Sequence, residues 1–498
     1  MRGSLGRNVV ASMANAIAVI GSLLIAVPVI LDAVGTAGYG VWSLGLAVIV
    51  YLSLVEVGLG PAVQRYAAVA RGAGDRAELA RILWTALVTY VLAGVIGLVA
   101  LNLAAGPLVD VFDLPRGLRA DAEEMFRILG ITLAVALLAA GSGNLVAGME
   151  RFGALALSSA AGALGFLVAV IVLADDKGLP GLAVALTVQH CIVLACRAWT
   201  LRSAALGSRP ALVARSVLRS MVRFSARLQV SAFAELFNSQ SDKVLVGLVA
   251  PISTVGQLGI GAQIADGGRL VAGAALGPVV SSFSVSAGAR DEAALRTRFA
   301  AVQRIWVLGM LGAGVIGAAS LQPLIEAWLG AGYDEAALLG TALVLAGTAA
   351  LSTGTGIAYL RAIGEPGLEA RYGVLVVLVN LALTIPLALL AGARGAVAGT
   401  LGAYLVGVAW FFARLSRKIP VSPVRDRRDA ARVVAWAVAA GAAALGWGLL
   451  AVELTPRGVA LVLVAFGDLC ALAAYSSAAL GLRPTPATIR RWLASAPA

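Results

Sequence analysis

The sequence predicts an all-α polytopic membrane protein of about fourteen transmembrane helices, built as two parallel six-helix lobes plus a terminal helix pair. Three observations carry this. Of the 498 residues, 60% are apolar and 13% charged, whereas a water-covered surface needs roughly a quarter charged. The mean hydropathy is +0.92, which excludes a disordered chain. The apolar residues form long unbroken runs, not the alternating ~10-residue segments of an outer-membrane barrel. Sparse aromatics (6%) and abundant glycine (58) suit helices packed closely in lipid.

Fourteen apolar segments follow one another at about 8–31, 41–64, 82–104, 126–147, 154–174, 181–201, 224–249, 257–287, 302–324, 336–359, 372–391, 395–413, 433–452 and 458–481. The first is too long for the core of a signal peptide and reads as a span. Segment eight is long enough to be tilted, or broken near Gly267-Gly268.

The net charge of +12 comes from 38 Lys and Arg against 26 Asp and Glu. In a soluble protein this would suggest nucleic acid as a partner. Here the charges alternate by loop. One side holds 30 of them, in groups such as Arg65 to Arg81, Arg197 to Arg227 and Arg414 to Arg432; the other side holds 6. By the positive-inside rule both termini are cytoplasmic, the span number is even, and nucleic acid is not implied. Lys243 and Arg269, counted on neither side, fall inside segments. No Gly-x-x-x-x-Gly-Lys-Ser/Thr loop exists for ATP-driven pumping. Cys191, Cys196 and Cys470 lie in apolar runs without disulfide or metal spacing, and read as small hydrophobes. No cofactor is expected beyond a possible coupling H+ or Na+.

A weak internal repeat organises the chain. Leu59-Gly60-Pro61 recurs as Leu276-Gly277-Pro278, Asp75 as Asp291, Pro107-Leu108 as Pro323-Leu324, Gly148 as Gly364 and Lys177-Gly178 as Arg394-Gly395, at offsets of 216 or 217. Such an offset carries segments 1–6 onto 7–12 in the same membrane direction, a parallel repeat. The expected domains are an N-lobe (1–215), a C-lobe (216–430) and a terminal pair with a short tail (431–498). Such architectures place a binding cavity between lobes that opens to each side in turn.

Polar residues within hydrocarbon need a reason, because a charge there costs about 2.5–3.5 kcal/mol on insertion scales. Asn8, Ser12, Asn15 and Ser22 share one helical face of span one. Such a face either lines a cavity or bonds helices together. Span two carries Glu56 near mid-depth and Gln64-Arg65 at its inner end. An unpaired Glu56 would hold a proton, so it is a candidate for ion coupling; Arg65 either snorkels to the interface or lines the cavity. In span seven Ser231, Glu235, Asn238, Ser239 and Asp242 fall at helical spacing, followed by Lys243; span eight adds Gln263, Asp266 and Arg269. These groups either line a pathway or form ion pairs: Glu235 or Asp266 with Arg269, and Asp242 with Lys243. His190 reads as hydrogen-bonded packing or a proton relay. Asp468 lies outside the repeat and has no evident role.

The stretches Asn8 to Asn15, Gly38-Tyr39-Gly40-Val41-Trp42 and Glu56-Val57-Gly58-Leu59-Gly60 through Arg65-Tyr66-Ala67 resemble the start of bacterial polysaccharide flippases of the multidrug/oligosaccharidyl-lipid/polysaccharide exporter superfamily. Phe224 to Asp242-Lys243, Leu321 to Tyr333 and the Gly364-Glu365-Pro366 turn are similar to later parts of that pattern, so the resemblance spans about residues 5–420. It implies a V-shaped two-lobed transporter, not an enzyme, that exports an undecaprenyl-pyrophosphate-linked oligosaccharide by alternating access across the bacterial inner membrane. Membrane lipids, a polysaccharide polymerase and glycosyltransferases are the implied partners. On that reading Arg65, Lys243 and Arg269 meet the pyrophosphate, and Asn15, Asn238 and Gln263 meet sugar hydroxyls. Glu56, Glu235, Asp242 and Asp266 are the candidates for ion coupling. A cation-coupled multidrug antiporter, and a lipid II flippase or non-transporting scaffold, remain as alternatives.

Overall fold

The computed structural model describes residues 2–205, 215–288, 292–365, 367–419 and 426–481, with some side chains (Asn15 and Glu235 among them) outside that description. All thirteen regular elements among the described residues are α-helices. The first unit contains α1 (Arg2–Leu52), α2 (Leu54–Gly72), α3 (Arg76–Val111), α4 (Arg116–Gly148), α5 (Phe152–Ala205) and α6 (Arg215–Val249). From α7 (Ile252–Gly288) onward come α8 (Glu292–Leu329), α9 (Asp334–Ser352), α10 (Gly354–Ala362), α11 (Gly367–Leu415), α12 (Arg427–Leu454) and α13 (Arg457–Leu480). Nine described helices are long and apolar enough to cross a membrane. Their outer faces carry exposed apolar side chains such as Leu103, Leu157 and Leu390, as lipid contact requires.

Three of these helices are too long for one crossing. At 1.5 Å per residue the 54 residues of α5 would run about 80 Å, against a hydrocarbon core of about 30 Å. Each is interrupted by a glycine at positive φ: Gly35 in α1, Gly178 in α5 and Gly392 in α11. In α5 and α11 the chain turns back on itself. A methyl group on Gly181 would meet Leu173 O at 2.5 Å, and one on Gly399 would lie 2.6 Å from Thr384 Cα. Along a straight helix eight residues rise about 12 Å, so these approaches require a reversal. Asn380 Nδ2 donates to Thr400 Oγ1 (3.1 Å) between the arms of α11.

The repeat is present, with a change of register along it. The positive-φ residue after α3 is Asp113 and after α8 is Gly330, an offset of 217. Beyond that point the offset is 214. Helix α4 closes with Arg151 N donating to Val146 O and Glu150 N to Ala147 O; α10 closes with Glu365 N to Leu360 O and Gly364 N to Arg361 O. This is the same left-handed helix termination, with Glu150 (φ 57°) where the second copy has Gly364 (φ 77°). The hairpin glycines Gly178 and Gly392 also stand 214 apart, with similar dihedrals of (54°, −134°) and (59°, −138°). The expected match of Gly178 with Gly395 is therefore corrected to Gly392; Gly395 is the counterpart of Gly181, pressed on Leu387 O as Gly181 is on Leu173 O. The three-residue loss falls across α9 and α10, which contain a break at Thr353 absent from α4. Trp306 Nε1 takes up the Leu351 carbonyl at that break (2.7 Å).

The expected break at Gly267-Gly268 is absent, because α7 runs through both glycines. Hydrocarbon offers no partner for a freed carbonyl, so glycine's flexibility alone does not open a helix there. The chain packs as two compact units, Met1–Gly256 and Gln257–Ala498. The expected lobes 1–215 and 216–430 follow the sequence repeat, whereas these units follow packing, and α6 packs on α1, α2 and α3. In the second unit α12 and α13 pack on each other and on α8. Arg304 holds buried Asp429 with two bonds (2.8 and 3.2 Å), and Tyr475, its ring against Gly312, donates to Leu308 O (2.8 Å).

Glu150→Gly relieves a left-handed conformation costing a side chain about 1–2 kcal/mol. The exposed Arg71–Glu150 pair (3.5 Å) that it removes contributes little. The melting temperature of the purified protein should rise for Glu150→Gly and fall for Gly392→Val; opposite signs would contradict the assigned turns.

Candidate functional site

Among the described residues, three polar groups contain residues expected to form the site. The first surrounds Glu56, in the opening turn of α2 just after the break at Ser53. Asn144 Nδ2 on α4 donates to Glu56 Oε1 (3.0 Å) and to Ala140 O (3.1 Å). Gly60 admits them: a methyl group there would stand 2.7 Å from Asn144 Nδ2 and 2.8 Å from Glu56 Oε1. The Tyr90 ring on α3 packs on Gly141, with its hydroxyl beside Asn144 and Glu56. Arg197, on the second arm of α5, completes the group. Its Nη1 donates to Ala139 O (2.6 Å), Nε to Ser158 Oγ (3.2 Å) and Nη2 to Ser159 Oγ (3.2 Å). A methyl group on Gly143 would stand 2.6 Å from Nη1. Glu56 lies within its electrostatic reach. One polar turn of α4, Ala139 to Asn144, thus carries an acid on one side and a guanidinium on the other.

The second group is on α6. Asn238 and Asp242 are buried, with Asn238 Oδ1 and Ser241 Oγ lacking hydrogen-bond partners among the described residues. Lys243 is half-buried and its Nζ donates to Gln240 Oε1 (3.3 Å). Asp242 acts electrostatically on Tyr51 of α1. The third group is on α7. Arg269 Nη1 pairs with Asp266 Oδ1 at 3.3 Å, as the spacing predicts. Arg269 Nε is buried without a partner, 2.6 Å from where a Gly347 side chain would begin. Gln263 is half-buried.

Of the expected residues, Glu56, Arg65, Asn238, Asp242 and Lys243 belong to the first unit, and Gln263, Asp266 and Arg269 to the second. The set expected from spans seven and eight is thus divided between units. Arg65 is exposed, with its guanidinium 5.4 Å from the Tyr66 ring centre. The side chains of Asn15 and Glu235 lie outside the described residues. His190 Nδ1 sits 2.8 Å from Leu186 O, a pure acceptor, so Nδ1 carries a proton. Sequence reasoning missed Arg197, grouped by position with the cytoplasmic charges, and Asn144, Tyr90 and Ser320. The run Gly141-Ser142-Gly143-Asn144 inside span four was the available signal.

The fold defines the class: an all-helical membrane fold similar to that of solved MATE transporters and MurJ. A lipid II flippase MurJ in an inward closed conformation matches with a TM-score of 0.70 at 13% identity, covering 94% of this chain and 98% of that one. An inward-facing multidrug resistance MATE family transporter matches at 0.65 and 17% identity, over 80% and 95%. A variant of the Vibrio cholerae MATE transporter VcmN matches at 0.58 and 15% identity, over 83% and 96%. No curated protein matches the sequence. The family described as polysaccharide biosynthesis protein matches residues 5–282, more than half of the chain, and the chain belongs to it.

Arg197→Ala removes three charged hydrogen bonds and should lower stability by about 2 kcal/mol. Arg197→Lys should rescue little, because an ammonium cannot reproduce the planar three-way fork. Thermal unfolding in detergent checks both; full rescue by lysine would show that charge alone matters.

Proposed function

We propose that this chain flips an undecaprenyl-pyrophosphate-linked oligosaccharide across the bacterial cytoplasmic membrane by alternating access, supplying surface polysaccharide biosynthesis. Family membership supports a flippase of that pathway. The observation that carries the anionic headgroup is Arg269: it is only partly buried and has one ion pair, to an Asp266 that is itself half-exposed, so its terminal guanidinium nitrogens can meet a phosphate oxygen. Lys243 and, at the interface, Arg65 are proposed to share this role. Asn15, Asn238 and Gln263 are proposed to meet sugar hydroxyls. Both termini are taken as cytoplasmic, with glycosyltransferases and a polymerase acting before and after transport.

Coupling is proposed to run through Asp242 and Asp266, with Glu235 and Glu56 as further candidates. Glu56 differs from the others because Asn144 and Arg197 already serve its charge within the first unit. A cation-coupled antiporter is the second reading, favoured by these carboxylates and by the MATE-like fold. It requires substrate-dependent proton or sodium movement in proteoliposomes that Asp266→Asn abolishes. A lipid II flippase is the third, favoured by the MurJ-like fold, and would rescue cells lacking their own.

Deletion of the gene should abolish the surface polysaccharide and leave lipid-linked units on the cytoplasmic side. Complementation by Arg269→Gln or Lys243→Gln should restore at least about tenfold less polysaccharide than wild type, an effect of about 1.4 kcal/mol. An unchanged surface glycan in the deletion strain overturns the proposal.

A further inference from the structure

Asp468 sits at the middle of α13, level with Ser320 of α8. Ser320 Oγ lies 3.0 Å from Asp468 Oδ2 and 2.9 Å from Ile316 O. A hydroxyl carries one hydrogen, and a backbone carbonyl can only accept. If Asp468 were ionised it too could only accept, and one of the two contacts would have no hydrogen between its oxygens. The count closes when the carboxyl supplies the second hydrogen. Asp468 Oδ2–H then donates to Ser320 Oγ, and Ser320 Oγ–H donates to Ile316 O. The other oxygen, Oδ1, is buried without a partner, which a neutral carbonyl tolerates far better than half of a carboxylate.

The surroundings offer no compensating charge. Among the described residues no Lys, Arg or His pairs with Asp468. On α8, Arg296, Arg298 and Arg304 lie toward one end, and Glu326 is six residues from Ser320, about 9 Å along the axis. On α12, Trp447 packs on Gly467 and marks the level of Asp468. Arg427, Arg428, Asp429 and Arg432 are at the far end of α12, and Glu453 is six residues from Trp447, about 9 Å. On α13 itself Arg457 is eleven residues away, Cys470 is exposed, and Tyr475 is committed to Leu308 O.

We infer that Asp468 is a proton-binding site, holding a proton between α13, which lies outside the repeat, and α8 of the second copy. Losing that proton turns the single Ser320 hydroxyl hydrogen from Ile316 O to the carboxylate, so deprotonation rearranges the contact between α13 and α8 and leaves a charge buried there. The site gives the terminal pair a pH response of its own, independent of which substrate is carried.

Infrared spectroscopy of the full-length protein in lipid bilayers tests this directly. At mildly acidic pH, where an exposed aspartate is already ionised, the wild type should show the C=O stretch of a protonated carboxylic acid. The band should vanish in Asp468→Asn, persist in Glu56→Gln, and shift in frequency in Ser320→Ala, where its hydrogen-bond acceptor is gone. The melting temperature of wild type should fall as pH rises and the proton is lost, while Asp468→Asn, neutral and isosteric, stays flat. No such band in wild type, or a band that Asp468→Asn leaves unchanged and Ser320→Ala does not shift, overturns the inference. Should Asp468→Asn fail to fold, the Ser320→Ala shift and the disappearance of the wild-type band at high pH decide it.

Discussion

Hydrocarbon supplies no hydrogen bonds, and most of what distinguishes this molecule follows from having to satisfy every polar group inside its helices. The backbone obeys first: α7 stays helical through two adjacent glycines, and at the break around Thr353 the Leu351 carbonyl accepts from Trp306 as well as from the backbone. Side chains obey next. Arg197 is held by a carbonyl and two serines, and Asn144 joins Glu56 to α4. Glycine makes these arrangements possible by giving up side-chain volume where a polar head or a tyrosine ring must approach, as at Gly60, Gly141, Gly143 and Gly312.

Against that background, the polar groups left over separate from those already served. Glu56 and Arg197 are each hydrogen-bonded within one unit, beside a Tyr90 hydroxyl that is buried without a partner among the described residues. Arg269 is only partly satisfied, with a guanidinium nitrogen buried and unpartnered. Where Arg197 is held by three bonds, the exposed part of the Arg269 guanidinium is held by one ion pair to a half-exposed carboxylate. The proposed pyrophosphate fits that residual capacity, and the proposed role of Arg269 rests on this contrast with Arg197.

The class of fold was legible because composition and run length suffice to exclude water as the surrounding solvent. The hairpins of α5 and α11 were legible as paired segments, since a glycine with flanking charge separates 154–174 from 181–201. The register of the repeat was misread at the second hairpin because a Lys-Gly and Arg-Gly match is cheap. Only the backbone dihedrals show that Gly392 makes the turn. Arg197 was misassigned for a related reason: counting charges by loop assumes that a guanidinium follows its Cα, whereas a long side chain can turn inward to a carbonyl. The pairing of Asp468 with Ser320 spans 148 residues, and no periodicity connects them. Likewise, no local pattern in α6 announces that it packs with the helices before it.

The central claim is transport of a lipid-linked oligosaccharide, with Arg269 meeting its anionic headgroup. Purified protein in proteoliposomes, loaded on one leaflet with an undecaprenyl-pyrophosphate-linked oligosaccharide, tests it most directly. A sugar-specific probe confined to the other side reads the rate of appearance. Wild type should expose the glycan well above protein-free vesicles, and Arg269→Gln should slow that rate about tenfold while Arg269→Lys keeps a measurable part of it. A wild-type rate equal to that of empty vesicles, or an Arg269→Gln rate equal to wild type, would contradict the account.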